Sequence, residues 1–191
     1  MNTVEPIRDR KKILAIKGNL KAQDNPRDYL LFTMGINFAL RISDLLRLRV
    51  RDTLNEKGEI KDYIYLREQK TKKEKKLKLN NAVKEALEYY FLKARITDPD
   101  QLLFVAHRSG RPLTRIRAWQ LIRSWCEKVG LSGERFGTHS LRKTWGYQAR
   151  ILGVPVELIC EKLGHRSPAV TRRYIGITQD EISEVENRVC L

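Results

Sequence analysis

The sequence predicts an α+β fold that is mostly α-helical and carries one small antiparallel β-sheet. Apolar residues recur at helical spacing over most of the 191 residues, whereas between Thr53 and Asn80 they follow the two-residue alternation of strands. An apolar fraction of 41% is enough to form a core, which excludes a wholly disordered basic tail. We therefore expect one domain of ordinary size, with at most a short appendage.

The first forty-eight residues predict two helices and a helical junction. A basic amphipathic helix is predicted over Pro6 to Lys21, and Asn25-Pro26 marks a break after it. Apolar spacing predicts a second helix over Arg27 to Leu40, and the helical pattern resumes over Ser43 to Leu48. Arg41 is therefore expected at a helix end or junction.

The rest of the chain predicts a hairpin followed by further helices. The strands are expected between Thr53 and Asn80, with a turn at Asn55 to Gly58. The helices that follow are predicted over Asn81 to Ile96, Ile116 to Val129, Thr138 or Ser140 to Ile151, Pro155 to Leu163, Pro168 to Ile175, and the tail Asp180 to Leu191. Trp119, Trp125 and Trp145 lie within helical patterns and are expected in the core.

Charge limits the classes of partner. The chain has 38 Lys and Arg against 23 Asp and Glu, a formal net charge of +15, which favours nucleic acid over an anionic membrane surface. No stretch approaches the roughly 18 consecutive apolar residues of a membrane span, and no apolar signal core opens the chain. Three cysteines without a C-x-x-C pair predict neither a disulfide framework nor a zinc ribbon. We expect a soluble cytoplasmic protein.

The basic residues of the predicted hairpin have two interpretations. They could form a solvated strand edge that resists aggregation, or a surface laid against a DNA backbone. The DNA-binding candidates are Arg67, Lys72, Lys73, Lys75 and Lys76 in this window, and Arg172 and Arg173 near the C-terminus.

Four further residues have side chains that suit phosphate chemistry. His139 and Arg142 lie three apart on the first turn of a predicted helix, His165 lies at a helix end, and Tyr174 follows nine residues later. Each alone is better explained as a core histidine or a surface residue. Together, arginines that bind phosphate oxygens and a phenol that can act as a nucleophile suit metal-free phosphodiester transfer.

At these residues the sequence resembles the tyrosine recombinase (phage integrase) family, whose catalytic set is Arg, Lys, His, Arg, His or Trp, and Tyr in chain order. The matching segments are Ala39 to Leu48, with its Leu40-Arg41-Ile42-Ser43-Asp44, the Lys70 hairpin, His139 to Trp145, Leu163-Gly164-His165, and Tyr174. Phe38-Ala39 replaces the common Thr-Gly, and Lys143 replaces a frequent histidine. The resemblance covers roughly residues 27 to 177.

The resemblance implies a role for each matched residue. Tyr174 would attack a scissile phosphate of double-stranded DNA, without metal, ATP or another cofactor, and the two arginines would also ease its ionisation. Arg41 and Arg142 would neutralise the charge that develops on the phosphate, and His165 would make a third contact to it. Lys70 would protonate the leaving oxygen, with Lys72 or Lys73 as competitors for that role. His139 would assist proton movement at the tyrosine hydroxyl. Asp44 would be buried and hold the helix of Arg41.

The resemblance also implies an organisation and leaves alternatives. We expect an N-terminal basic helix and linker over 1–26, a catalytic domain over 27–178 and a helical tail over 179–191 that packs on its own domain or on another protomer of a DNA-bound homo-tetramer. The family's usual N-terminal domain does not fit in the first 26 residues, so the chain is either a catalytic fragment or a minimal recombinase. A type IB topoisomerase-like enzyme and a catalytically reduced DNA-binding accessory factor remain alternatives.

Overall fold

The computed structural model describes residues 4–94, 96, 98–106, 109–132, 135–176, 187 and 189. Its elements, in chain order, are α1 (Arg10–Ala22), α2 (Pro26–Phe38), α3 (Ile42–Leu45), α4 (Val50–Thr53), β1 (Tyr63–Arg67), β2 (Glu74–Lys78), α5 (Asn81–Lys93), α6 (Arg115–Lys128), α7 (Thr138–Ile151), α8 (Val156–Leu163) and α9 (Pro168–Ile175). This confirms the predicted fold class. The predicted tail helix lies outside the described residues, apart from two isolated positions.

Local signals in the sequence fix where α1 and α2 begin and end. Asp9 caps α1 by accepting a hydrogen bond from the backbone of Lys11, so the helix starts four residues later than predicted. Asn25 caps α2 in the same way, with Pro26 at its first position. The helix ends at Ala39, which adopts the left-handed conformation with φ 56°.

The two strands form an antiparallel hairpin whose register runs from Tyr63 opposite Lys78 to Arg67 opposite Glu74. Ile64 and Leu77 pair across the hairpin and are buried, whereas the next pair outward is exposed. The faces therefore alternate with the two-residue period of strands. A six-residue turn, 68–73, joins the strands and carries Lys70.

The main core surrounds α2, which packs against α1, α5 and α7. Two glycines allow close packing around α7. A Cβ on Gly35 would clash with the Leu141 side chain, and one on Gly146 would lie 2.7 Å from Ile175. Helix α7 therefore approaches both the central helix α2 and the C-terminal helix α9 more closely than larger residues would permit.

An extended segment before α1 crosses α7. Ile7 is buried, and its backbone N–H donates to the Thr144 hydroxyl at 2.8 Å. The Gln148 amide donates to the backbone carbonyl of Arg8 at 2.7 Å, while the Arg8 guanidinium donates to the carbonyl of Gly176 at 2.9 Å. The segment thus ties α7 to the end of α9.

One prediction about the core is wrong. Trp119 is 40% exposed and lies under the guanidinium of Arg123, 4.7 Å from the ring centroid. Helical spacing alone did not distinguish its face of α6 from the buried face. Trp125 is buried as predicted, and Trp145 is partly buried against a smaller cluster formed by α7, α8 and α9.

Across the described stretches of the chain, no helix combines the length and apolar character needed to cross a membrane.

Candidate active site

Arg142 lies at the centre of the predicted site. It projects from the first turns of α7, is 2% exposed, and donates through Nη1 to the carbonyl of Ala39 at 2.7 Å. Its Nη2 donates to the carbonyl of Leu163. These carbonyls close α2 and α8 and lie two residues before Arg41 and His165 respectively. One guanidinium therefore holds together the segments that carry two other candidate residues.

Both histidines lie beside the hydroxyl-bearing ring of Tyr174. His139 Nδ1 is 3.4 Å from the Tyr174 hydroxyl oxygen. The His165 ring contacts the Tyr174 ring edge-on, with centroids 4.7 Å apart, and His165 Nδ1 is 3.0 Å from the Thr171 hydroxyl. The charge of Arg142 also interacts with the Tyr174 side chain. The predicted residues of α7, α8 and α9 thus converge on one phenol.

Arg41 joins this group through a carboxylate that the sequence analysis missed. Arg41 precedes α3, as the predicted junction required, and its Nη1 donates to Glu68 Oε1 at 2.9 Å. The same oxygen is 4.0 Å from Arg142 Nη1, and Glu68 Oε2 accepts from the Thr71 hydroxyl at 2.6 Å. A buried carboxylate thus lies between the two arginines.

The structure places a lysine other than the predicted one beside Arg41, Glu68 and Arg142, a cluster that we call the arginine pocket or, for short, the pocket. Lys70 is exposed in the hairpin turn. Lys75 is partly buried on β2, and its Nζ donates to the carbonyl of Lys162 at 2.6 Å. Burial lowers the pKa of Lys75, and the Glu68 carboxylate opposes that shift. Lys75 is therefore a further candidate for the lysine position, beside Lys70, which fits the motif, and its earlier competitors Lys72 and Lys73, which are exposed in the same turn.

The structure gives Asp44 a hydrogen-bond partner. Asp44 lies on α3, the helix that follows Arg41, and is buried as expected, at 4% exposure. Its Oδ1 accepts from the backbone N–H of Gln69 at 2.9 Å, so the carboxylate links α3 to the hairpin turn next to Lys70. This contact is consistent with the structural role predicted for Asp44, although the sequence did not reveal Gln69 as the partner.

Burial and the charges of the arginines determine the pKa values of the titratable groups around Tyr174. Burial raises the pKa of Tyr174, and Arg142 and then Arg41 partly oppose that rise, so the phenol is protonated at neutral pH. Burial, followed by the charge of Arg142, lowers the pKa of His139 below its ordinary value. The same two causes lower the pKa of His165 to about 4. Both imidazoles are therefore neutral at pH 7 and can exchange protons with neighbouring oxygens.

We expect the His165 imidazole to titrate with a midpoint near 4, not near the ordinary 6.5. The unfolded chain protonates this group at higher pH than the folded chain does, so its contribution to the free energy of unfolding is complete above pH 6.5 and declines as pH falls towards 4. A proton NMR titration of the histidine Cε1 resonances measures the midpoint. His165→Gln assigns the resonance, and in this variant thermal stability should fall less steeply between pH 6.5 and pH 4. A His165 midpoint near 6.5 would contradict the expected low pKa.

The remaining basic candidates lie on the surface around the pocket. Arg67, Lys72, Lys73 and Lys76 are exposed on the hairpin, and Arg172 and Arg173 are exposed on α9 beside Tyr174. Lys76 Nζ lies 4.2 Å from the centroid of the Tyr63 ring. Of the seven predicted DNA-binding residues, Lys75 is partly buried and the other six are exposed.

Within the ranges that the structure describes, no group of three or more His, Cys, Asp and Glu residues is placed to hold a metal ion.

Comparison with known proteins identifies the family to which the chain is similar. The phage integrase family model matches residues 9–181. The probable integrase/recombinase YoeC of Bacillus subtilis (strain 168) is 39% identical over 180 residues, which cover 94% of this chain and 93% of YoeC. Tyrosine recombinase XerA of Pyrococcus horikoshii is 29% identical over 171 residues, which cover 88% of this chain but 57% of XerA.

Solved structures share the fold over nearly the whole chain. A crystal structure of XerA recombinase matches with a TM-score of 0.75 at 19% identity, covering 100% of this chain and 66% of that one. The XerH site-specific recombinase bound to palindromic difH substrate, in a post-cleavage complex, matches with a TM-score of 0.73 at 20% identity. The match covers 96% of this chain and 51% of the XerH chain. With a family model that spans most of its length and a close relative named as an integrase/recombinase, the chain belongs to the phage integrase family.

Proposed function

We propose that this chain carries out site-specific recombination of double-stranded DNA by cleaving and rejoining strands through a 3′-phosphotyrosyl intermediate. The observation that carries the proposal is the cluster around Tyr174: His139 lies at its hydroxyl, His165 contacts its ring, the charge of Arg142 acts on it, and Arg41 joins the group through Glu68. The names of the relatives, integrase/recombinase and tyrosine recombinase, support the same reaction class.

In the proposed reaction, Tyr174 Oη attacks the scissile phosphorus and displaces the 5′-oxygen of the next nucleotide. The bond from phosphorus to Tyr174 forms as the bond to the 5′-oxygen breaks, so the phosphodiester energy is kept in the covalent intermediate. A 5′-hydroxyl from a partner strand then attacks the phosphotyrosine and releases Tyr174. No step requires ATP or a metal ion.

The phenolic proton needs an acceptor, because burial keeps Tyr174 protonated at neutral pH. His139 is neutral at that pH and has its Nδ1 3.4 Å from the hydroxyl. It can therefore take the proton as the bond to phosphorus forms.

Positive charge and hydrogen-bond donors near Tyr174 would stabilise the five-coordinate phosphorane. Arg142 is fixed by two backbone carbonyls, so its charge is already oriented before the phosphate arrives. Arg41 lies at the same pocket through its contact with Glu68. The Thr171 hydroxyl lies 3.0 Å from His165 Nδ1 and 3.3 Å from the Ser167 carbonyl oxygen. In the tautomer in which the hydroxyl donates to Nδ1, Nε2 of His165 carries the ring proton and can donate to a phosphate oxygen.

Lys70 is proposed as the acid that protonates the leaving 5′-oxygen, with Lys75 as the competing assignment. We expect Lys70→Ala to slow cleavage about 10²–10⁴-fold on ordinary DNA, the range for lost general acid catalysis. A substrate whose leaving oxygen is replaced by sulfur should restore the rate, since a thiolate with pKa about 8.5 leaves without a proton. Single-turnover adduct formation measures both rates.

Lys75→Ala is the matched variant for that experiment. Lys75 bonds the Lys162 carbonyl, so its loss should impair both substrates alike through the shape of the pocket. If the sulfur substrate restores the cleavage rate of Lys75→Ala and not that of Lys70→Ala, Lys75 is the general acid.

The exposed basic residues of the hairpin and α9 would hold the DNA backbone around the cleaved phosphate. Because each Tyr174 cuts one strand, exchange between two duplexes requires four cleavages, and we propose a homo-tetramer on DNA. In this proposal residues 27–178 form the catalytic unit, a basic helix and linker over 1–26 pack onto that unit through Ile7, Ile16 and Leu20, and a tail over 179–191 is available to a neighbouring protomer.

Two plasmid assays test the proposed function against its alternatives. A plasmid with two copies of a candidate target site, taken from inverted repeats found by sequencing the DNA around the gene, should show exchange between the copies in buffer containing EDTA. Relaxation of supercoils without exchange would instead indicate type IB topoisomerase-like activity. Binding without exchange or relaxation would indicate an accessory factor.

A further inference from the structure

Glu68 is a buried carboxylate that the proposed reaction does not use. It is 2% exposed, and its Oε1 lies 2.9 Å from Arg41 Nη1 and 4.0 Å from Arg142 Nη1. We propose that Glu68 is an internal competitor of the scissile phosphate. It occupies the arginine donors in the DNA-free protein and gives them up when phosphate binds, which releases the hairpin turn that carries Lys70. The inference rests on the proposed function.

The charge of Glu68 makes competition unavoidable. Burial alone would raise its pKa, but the Thr71 hydroxyl and the charges of Lys75, Arg41 and Arg142 together hold the pKa below the ordinary value. The carboxylate is therefore ionised. A phosphate bound to the same two arginines would place a second negative charge within a few ångströms of it, in surroundings that screen charge poorly.

Some of the arginine donors are already used by Glu68 and by backbone carbonyls. Arg142 already donates through Nη1 and Nη2 to the carbonyls of Ala39 and Leu163, so few of its N–H groups stay available. Arg41 donates its Nη1 to Glu68, and its side chain is 21% exposed at the pocket. The arriving phosphate therefore meets a donor that is already occupied.

The same carboxylate restrains the turn. Glu68 Oε2 accepts from the Thr71 hydroxyl, and the backbone of Glu68 bonds that of Lys73 and Lys72 at the two ends of the turn. Lys70 lies inside this ring of contacts. Displacing the carboxylate from Arg41 removes the ionic tie between the turn and Arg41 and leaves the hydrogen bond from Gln69 to Asp44 as the remaining link to α3, so the arrival of phosphate and the freedom of Lys70 are coupled.

A titration with inorganic phosphate at low ionic strength tests the competition without a known target sequence. We expect Glu68→Gln, which keeps the shape and removes the charge, to bind phosphate at least about tenfold more tightly than wild type, followed by NMR chemical shifts. Glu74→Gln is the matched control, because Glu74 is exposed on the same hairpin and its loss changes net charge equally. Equal affinity of Glu68→Gln and Glu74→Gln would overturn the proposal.

Hydrogen exchange tests the coupling. Phosphate should accelerate amide exchange over residues 69–73 of the wild type, and should have little effect in Glu68→Gln, where the turn is already free of the ionic tie. If phosphate slows amide exchange over these residues in the wild type, the proposed release of the turn is refuted.

Arg41→Ala separates failure of this inference from failure of the proposed function. If Arg41→Ala weakens phosphate binding while Glu68→Gln leaves it unchanged, the anion site stands and competition by Glu68 is refuted. If neither variant alters phosphate binding, the pocket is not a phosphate site, and the proposed function and the inference are refuted together.

Discussion

Replacing Tyr174 with phenylalanine is expected to abolish the covalent protein–DNA adduct while DNA binding stays nearly intact. The substitution removes one oxygen atom and leaves the ring, whose edge contact with His165 and packing against the α7–α9 cluster do not depend on the hydroxyl. A nicked duplex that loses the short strand after cleavage traps the adduct, which a denaturing gel then displays. Binding is followed by mobility shift on the same duplex.

Tyr147→Phe is the matched control for the nucleophile. Tyr147 lies on α7 under the guanidinium of Arg8, 5.0 Å from its ring centroid, and does not belong to the group around Tyr174. We expect its adduct yield to match that of the wild type. An undiminished adduct from Tyr174→Phe would remove Tyr174 from the role of nucleophile.

Loss of Arg41 should cost several orders of magnitude in cleavage. Its guanidinium would neutralise charge that develops on the phosphorane, and removal of one such preorganised donor typically costs about 10²–10³ in rate. Arg41→Ala and Arg41→Lys are compared with the wild type by single-turnover cleavage at saturating DNA. The lysine variant retains the charge but not the two-pronged geometry, so it should recover only part of the rate.

Arg47→Ala controls for the loss of one positive charge from the same region, since Arg47 is exposed six residues further along the chain. Thermal melting of each variant checks that the fold is preserved. A fall in cleavage below about tenfold for Arg41→Ala, equivalent to about 1.4 kcal/mol, would exclude Arg41 from a role in the transition state.

Local sequence signals predicted most of the architecture. The break at Asn25-Pro26 and the helix from Pro168 to Ile175 appear in the structure as predicted, because caps and prolines act within one turn. The extended segment around Ile7 was predicted as helix, since its contacts are to Thr144 and Gln148, about 140 residues away. Such long-range packing leaves no trace in local spacing.

The sequence motifs predicted most of the site residues. They did not predict Glu68 and Lys75, which the hairpin contributes. The two-residue period of strands could have found them: Glu68 continues the inward face of Ile64, and Lys75 shares a face with buried Leu77. The distances between these side chains and the arginines depend on how the hairpin packs against α3 and α8. That packing is a tertiary property, and the motif alone did not reveal it.

The position of Arg142 has a consequence for how such a protein can lose its activity over time. Its guanidinium closes the ends of α2 and α8 in addition to facing Tyr174, so a mutation there would leave two carbonyls without their donor and would damage the fold. Tyr174 can lose its hydroxyl with far less structural harm. A lineage drifting from strand exchange towards a purely DNA-binding role should therefore discard the nucleophile first and retain the buried arginine long after catalysis has gone.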